Sequence, residues 1–216
     1  MVRLNNFFTE KRILLIIFFL FVIGIILHTY HPLIRITEYT SDAFILTCIG
    51  LIFLRISLLE KNAAVFYWFL AISAITLGIE IIGVETGKIF GEYSYGERFK
   101  LNFLNVPIVI GFNWAILILG AVSLARYFFH HKIVVMLIAS FLVVGFDYVL
   151  EPVAILNDYW SWHSDSIPLQ NYLAWAVISL VCSFFIQKVR FNKKIPSMYF
   201  IFQLVYFVIL RLVYAA

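Results

Sequence analysis

Seven apolar stretches run almost end to end through this chain, each near the length a helix needs to cross a bilayer. They lie at residues 12–30, 42–60, 63–82, 105–126, 132–150, 168–187 and 197–214. Hydrocarbon offers no partner to an open N–H or C=O, so segments of this kind must close their backbone bonds internally. The expected fold is therefore all-α. It is a polytopic membrane bundle of about seven transmembrane helices, forming a single transmembrane domain over residues 1–216. A composition of 63% hydrophobic and 13% charged residues excludes the ordinary soluble classes. The first apolar run is not followed by a small-residue cleavage site, so it is expected to remain as a span.

Lys and Arg orient such a bundle. With the N-terminus cytoplasmic, that side collects Arg3, Lys11, Arg12, Arg55, Lys61, Arg126, Lys132, Lys188, Arg190, Lys193 and Lys194. The other side holds only Arg35, Lys88, Arg98, Lys100 and Arg211, and the loop 151–167 has no Lys or Arg. The net charge of +4 is accounted for by this asymmetry and calls for no nucleic-acid partner. Cys48 and Cys182 sit in apolar runs without metal-ligand spacing and read as packing residues.

Against this apolar background four carboxylates stand out: Glu80, Glu85, Asp147 and Glu151. A charge near the bilayer centre costs roughly 2.5–3.5 kcal/mol on insertion scales, so such residues usually face a cavity and act there. All four fall toward the outer ends of spans three and five. Asp147 and Glu151 are four residues apart and share a helix face, whereas Glu80 and Glu85 do not share one well. Two carboxylates held that close in a poorly solvated place share a proton, which suits them to act as a Brønsted acid and its conjugate base. Glu85 is expected at the helix exit, beside the turn containing Gly83, Gly87 and Gly91. His28, Tyr30 and His31 close span one on the same side.

Two stretches echo each other. Glu85 is followed by Tyr93-Ser94-Tyr95, then Val106-Pro107-Ile108, Asn113 and Trp114. Glu151 is followed by Trp160-Ser161-Trp162, then Ile167-Pro168-Leu169, Asn171 and Trp175. Each prepares a helix start with proline, whose missing N–H is no loss in a first turn, and each places a Trp seven residues after that proline. If the echo is a repeat, it sets two acidic helix ends and two aromatic loops around a shared cavity. Its copies would then be related by an axis along the membrane normal. The candidate lining is Tyr93, Tyr95, Asn113, Trp114, Trp160, Trp162, Asn171 and Trp175. His163 is a candidate relay or a plain loop histidine, and His130 and His131 read as interfacial. H-E-x-x-H, G-x-G-x-x-G and P-loop motifs are all missing, so no metal is expected.

The block from Glu80 through Glu85 and Gly91 to Tyr95 resembles the integral-membrane carotenoid biosynthesis family that includes the CruF-type carotenoid 1,2-hydratases. So does the block from Asp147, Glu151 and Pro152 through Trp160 and Trp162 to Trp175. The resemblance covers residues 78–176, the motif-bearing core. The family pattern more often has Asp before the proline, where this chain has Glu151. The resemblance implies a cofactor-independent enzyme of the hydro-lyase type. It would add water to the C1–C2 double bond of an acyclic carotenoid end group. Asp147 and Glu80 would be the inner catalytic pair, with Glu85 and Glu151 in support. The implied partners are an acyclic carotenoid drawn from the bilayer, water, membrane lipid and other enzymes of the same pathway. The expected location is a prokaryotic cytoplasmic membrane, with the site toward the outer face. Two alternatives use the same residues. One is a lycopene-type cyclase, whose Pro-x-Glu-Glu signature is missing. The other is a proton-coupled transporter or membrane sensor, for which acids confined to one half of the bilayer are unusual.

Overall fold

A computed structural model describes residues 8–215; Arg3 lies outside them. Among the described residues, seven helices are long and apolar enough to cross a membrane. They are α1 (Glu10–Thr29), α2 (Ile34–Phe53), α3 (Ala63–Thr86), α4 (Ile108–Phe128), α5 (Lys132–Leu156), α6 (Leu169–Ile186) and α7 (Lys194–Tyr214). The polytopic helical bundle expected from the apolar pattern is the fold observed.

Local chemistry sets the helix ends. Thr9 caps α1 by accepting the Arg12 N–H, and Asn62 caps α3 by accepting the Val65 N–H. Gly87 closes α3 in the left-handed conformation, at φ 64°. Pro107 and Pro168 stand immediately before α4 and α6 as their N-caps. The helix α2 begins at Ile34, well before residue 42 where hydropathy places it, and it leaves through a wide π turn at Leu54–Leu59. The reason is that its first turns are polar but partnered. Arg98 donates to the Thr37 hydroxyl, and the Asp42 carboxylate accepts the Lys100 N–H. The helix α7 likewise starts at Lys194 rather than 197, with Pro196 accommodated in its first turn.

Pro152 lies inside α5, which runs on to Leu156 instead of ending near residue 150. Its ring removes the N–H that would have bonded to the carbonyl of Tyr148. That carbonyl accepts from Arg211 Nη1 of α7 instead, at 2.9 Å. A helix can thus carry proline at membrane depth because a neighbour satisfies the freed group.

The central member is α4, packed against α3, α5 and α7 and touching α2 and α6. Its middle turns are apolar all round, as those of a helix enclosed on all sides must be; Ile116, Leu117, Ile118 and Leu119 are fully buried. Glycine permits the close approaches. A Cβ at Gly111 would come within 2.7 Å of the Ser73 carbonyl on α3. One at Gly120 would come within 2.8 Å of the Pro196 carbonyl on α7. Gly120→Val is therefore expected to force α4 from α7 and to destabilise the bundle by about 1–3 kcal/mol, the usual cost of overpacking. The check is a lowered midpoint of thermal unfolding in detergent.

The two ends of the bundle differ. At one end, cations and carbonyls tie the helices together. Lys194 pairs with Glu10 at 2.7 Å, Arg126 Nη2 donates to the Ile186 carbonyl at 2.7 Å, and Asn62 donates to the Arg190 carbonyl. At the other end, the long α3–α4 and α5–α6 connections form small sheets. These are β1 (Tyr93–Tyr95), β2 (Asn102–Phe103), β3 (Val106–Pro107) and β4 (Trp160–Trp162). The pair β2 and β3 forms a hairpin turned by Leu104 and Asn105, both at positive φ. The strands β1 and β4 pair antiparallel, with Tyr93 opposite Trp162, Ser94 opposite Ser161 and Tyr95 opposite Trp160. The two aromatic-Ser-aromatic elements of the sequence echo therefore bond to each other.

Candidate active site

The β1–β4 ribbon covers the ends of α3–α6, and the buried carboxylates lie beneath it. Alternation along a strand sends the flanking residues to one face and the central serine to the other. Tyr93 and Trp160 are buried, whereas Ser94 and Ser161 are exposed, their hydroxyls 3.3 Å apart. Four aromatic rings thus point inward from one short ribbon.

They point at carboxylates. On α3, Glu80 is buried and accepts three hydrogen bonds. Trp114 Nε1 donates to its Oε1 at 3.0 Å, Tyr95 donates to Oε2 at 2.8 Å, and Tyr93 donates to the same oxygen. On α5, Glu151 is also buried and also accepts three. Trp160 and Trp162 donate to Oε2 at 3.0 and 2.9 Å, and Asn171 donates to Oε1 at 3.1 Å. The same Asn171 amide donates to Asp147 Oδ2 at 2.7 Å and so bridges the two carboxylates of the i, i+4 pair. Asp147 is 1% exposed, and that amide supplies its hydrogen bond among the described residues. Burial, with the Glu80 carboxylate next in weight, pushes the Tyr93 and Tyr95 phenols well above the ordinary tyrosine range. Both therefore act as neutral hydroxyl donors.

Glu80, Asp147 and Glu151 line one cavity of about 50 Å³. That is room for water. Aromatic packing walls it. Trp114 and Trp175 stack at 3.4 Å between centroids, Phe90 stacks on Trp175 at 5.3 Å, and Tyr93 leans on Trp162 at 5.1 Å. Tyr93, Tyr95, Asn113, Trp114, Trp160, Trp162, Asn171 and Trp175 all face this cavity.

Glu85 does not. It is exposed near the end of α3 and takes no part in the cavity wall. Five residues of helix put it roughly 140° around the axis from Glu80. In the sequence echo Glu85 matches Glu151, but in three dimensions Glu80 is the counterpart. Each of these two carboxylates takes two donors from its own connecting strand. His163 is likewise exposed, 3.9 Å from Glu92. Cys48 and Cys182 are buried and free.

Several residues of the site escape the sequence reading. Phe90, Phe99, Ile45 and Tyr159 join the wall, and so does Gln203 of α7. The Gln203 amide donates to Asn113 Oδ1 at 2.8 Å, while its buried Oε1 has no partner among the described residues. A signal for it existed, since a glutamine amid Phe-Ile-Phe and Leu-Val in a membrane span is as anomalous as Asp147.

Comparison with known proteins bears on this arrangement. The family described as carotenoid biosynthesis protein matches residues 42–215. Among curated proteins, the bisanhydrobacterioruberin hydratase of Haloarcula japonica is 32% identical over 117 residues. That alignment covers 49% of this chain and 40% of the relative, so the chain spans well under half the length of the curated protein it matches. No solved structure matches. The family match runs from within α2 to the end of α7 and takes in all three buried carboxylates and the indoles that hold them. On that extent, the chain belongs to the carotenoid biosynthesis protein family.

Proposed function

We propose that this protein is a carotenoid hydratase that adds water to the terminal double bond of an acyclic carotenoid end group. One observation carries the reading. Three buried carboxylates converge on a water-sized cavity, and their hydrogen bonding divides them into two kinds.

Glu80 and Glu151 each receive three donors and offer none in return. Such cages favour the acceptor-only carboxylate. Asp147 receives a single amide, which leaves its other oxygen free to carry a proton. Asp147 is therefore the general acid. It transfers H⁺ to C2, the alkene electron pair forms the new C–H bond, and a tertiary cation is left at C1. The Glu80 and Glu151 carboxylates, with the ring of Trp162, stabilise that cation. Gln203 Oε1 accepts a hydrogen bond from the water that attacks C1. The proton shed by the added water returns to the Asp147–Glu151 pair, which restores the acid. The chemistry is balanced by water alone and needs no redox cofactor.

The hydratase relative supports water as the quencher, as against the internal double bond a cyclase would use. The membrane proposed is the prokaryotic cytoplasmic one, with the basic end of the bundle inside. The site then opens toward the outer face.

The test is expression in a host that makes acyclic carotenoids, with mass analysis of the pigments grown in isotopically labelled water. Hydration adds the mass of water and puts labelled oxygen into a tertiary alcohol. A pigment of unchanged mass but shorter chromophore would mean a cyclase instead. The Glu85→Gln variant belongs in the same experiment. Because Glu85 lies off the cavity, its product yield is expected to match the wild type within about twofold, the ordinary latitude of a surface change.

A further inference from the structure

A second cavity, of about 300 Å³, adjoins the first. It lies between α1, α2 and α7 and is mostly apolar, with Leu20, Phe21, Phe44 and Phe207 in its wall. Bundle interiors are normally packed without voids larger than water. A space of this size falls within the range of ligand sites.

Three features say what it holds. First, it is continuous with the acidic cavity. Ile45, Phe99, Tyr159, Gln203 and Phe207 line both. Second, it opens sideways. Ile23 of α1 and Ala43 and Thr47 of α2 line it and are exposed on the lipid-facing side of the bundle, whereas Phe21, Gly24 and His28 on the same α1 are buried. Third, its inner end is braced. His28 Nδ1 lies 3.0 Å from the Tyr206 hydroxyl, and its Nε2 lies 3.4 Å from the Tyr159 hydroxyl. A Cβ at Gly24 would come within 3.2 Å of Tyr206. His28, Tyr159 and Tyr206 are thus occupied with one another, and Leu20, Phe21, Phe44 and Phe207 leave most of the remaining wall apolar.

We propose that this cavity is the binding channel for the polyene chain of the substrate. The chain lies along the cavity and leaves it for the bilayer between α1 and α2. Its end group passes the Gln203–Phe207 junction to reach Asp147, and the remainder of the molecule stays in lipid. This assignment rests on the hydratase reading and adds to it the route and the chain-length requirement. The acidic cavity alone is too small for an isoprenoid chain, so substrate length is read in the second cavity.

The test uses the full chain in lipid nanodiscs with two substrates: a long acyclic carotenoid and a short acyclic isoprenoid with the same terminal alkene. Thr40→Phe and Thr47→Phe each place a ring on the α2 wall, away from the carboxylates and their donors. Either ring is expected to raise KM for the carotenoid by about tenfold or more, while turnover of the short substrate stays within about twofold. Activity on the short substrate also reports that the variant is folded. Carotenoid hydration at wild-type KM in both variants would overturn the channel and leave the hydratase reading standing. Equal loss on both substrates in both variants would overturn it too, because the block would not depend on chain length. If the wild type hydrates neither substrate, the hydratase reading fails and takes the channel with it.

Discussion

Asp147→Asn is expected to abolish hydration, lowering kcat by about 10³-fold or more. A positioned general acid contributes typically 10²–10⁴-fold, and here no other group is placed to substitute for it. Glu80 and Glu151 already have their oxygens occupied by phenol, indole and amide donors. Asparagine keeps the shape of the side chain and an oxygen for the Asn171 amide, so the bundle should remain folded. Rate and stability are therefore separable. The measurement is single-turnover hydration in labelled water, beside a thermal unfolding curve that should barely move. Retained turnover in Asp147→Asn would remove Asp147 as the acid and transfer the role to Glu151, its partner across the Asn171 bridge.

Glu80→Gln is expected to slow the reaction by about 10²–10³-fold, the usual cost of removing one preorganised electrostatic stabiliser of the transition state. The mechanism of loss differs from that of Asp147. The neutral amide offers the C1 cation no charge, and its NH₂ group meets the Tyr93, Tyr95 and Trp114 donors, which can no longer all be accepted. The deficit should appear in kcat with KM for the carotenoid little changed, because the proposed polyene channel lies away from Glu80. Some stability should be lost as well, since a buried donor left unpaired costs about 1–3 kcal/mol. The check is a kcat and KM determination together with the unfolding midpoint. A rise in KM at unchanged kcat would show that Glu80 binds substrate and does not stabilise charge.

The fold class was legible because a bilayer leaves a chain so few options. An apolar stretch of sufficient length must be a helix, and seven such stretches in 216 residues leave little else to build. The boundaries were less legible where a helix continues past the hydrocarbon. The first turns of α2 read as loop because Arg35 and Glu38 are polar, yet contacts from the α3–α4 connection to Thr37 and Asp42 hold them helical. The passage of α5 through Pro152 depends on Arg211, which is 63 residues away from the Tyr148 carbonyl it satisfies.

Much of the candidate site was legible on similar grounds. Acids in apolar spans are costly enough to be conspicuous, and the i, i+4 spacing of Asp147 and Glu151 fixes a common face without any tertiary information. The aromatic-Ser-aromatic echo marked two related loops. Their pairing as β1 and β4 could not be read, because strand pairing at a separation of 67 residues has no local signature. For the same reason Glu85 was the residue matched to Glu151 along the chain, while the folded ribbon delivers its tyrosines to Glu80.

By itself, then, the sequence determined the seven crossings, the side of the bundle on which the acids gather and the family to which the chain belongs. Each follows from short-range chemistry: hydropathy, helical periodicity and contiguous motifs. Only the tertiary structure decided which carboxylates meet, which one is left with a free oxygen, and that a mostly apolar cavity lies beside them. Those outcomes depend on donors arriving from distant helices and strands. A buried carboxylate is defined by the number of hydrogen bonds pointed at it, and that number does not exist until the chain has folded.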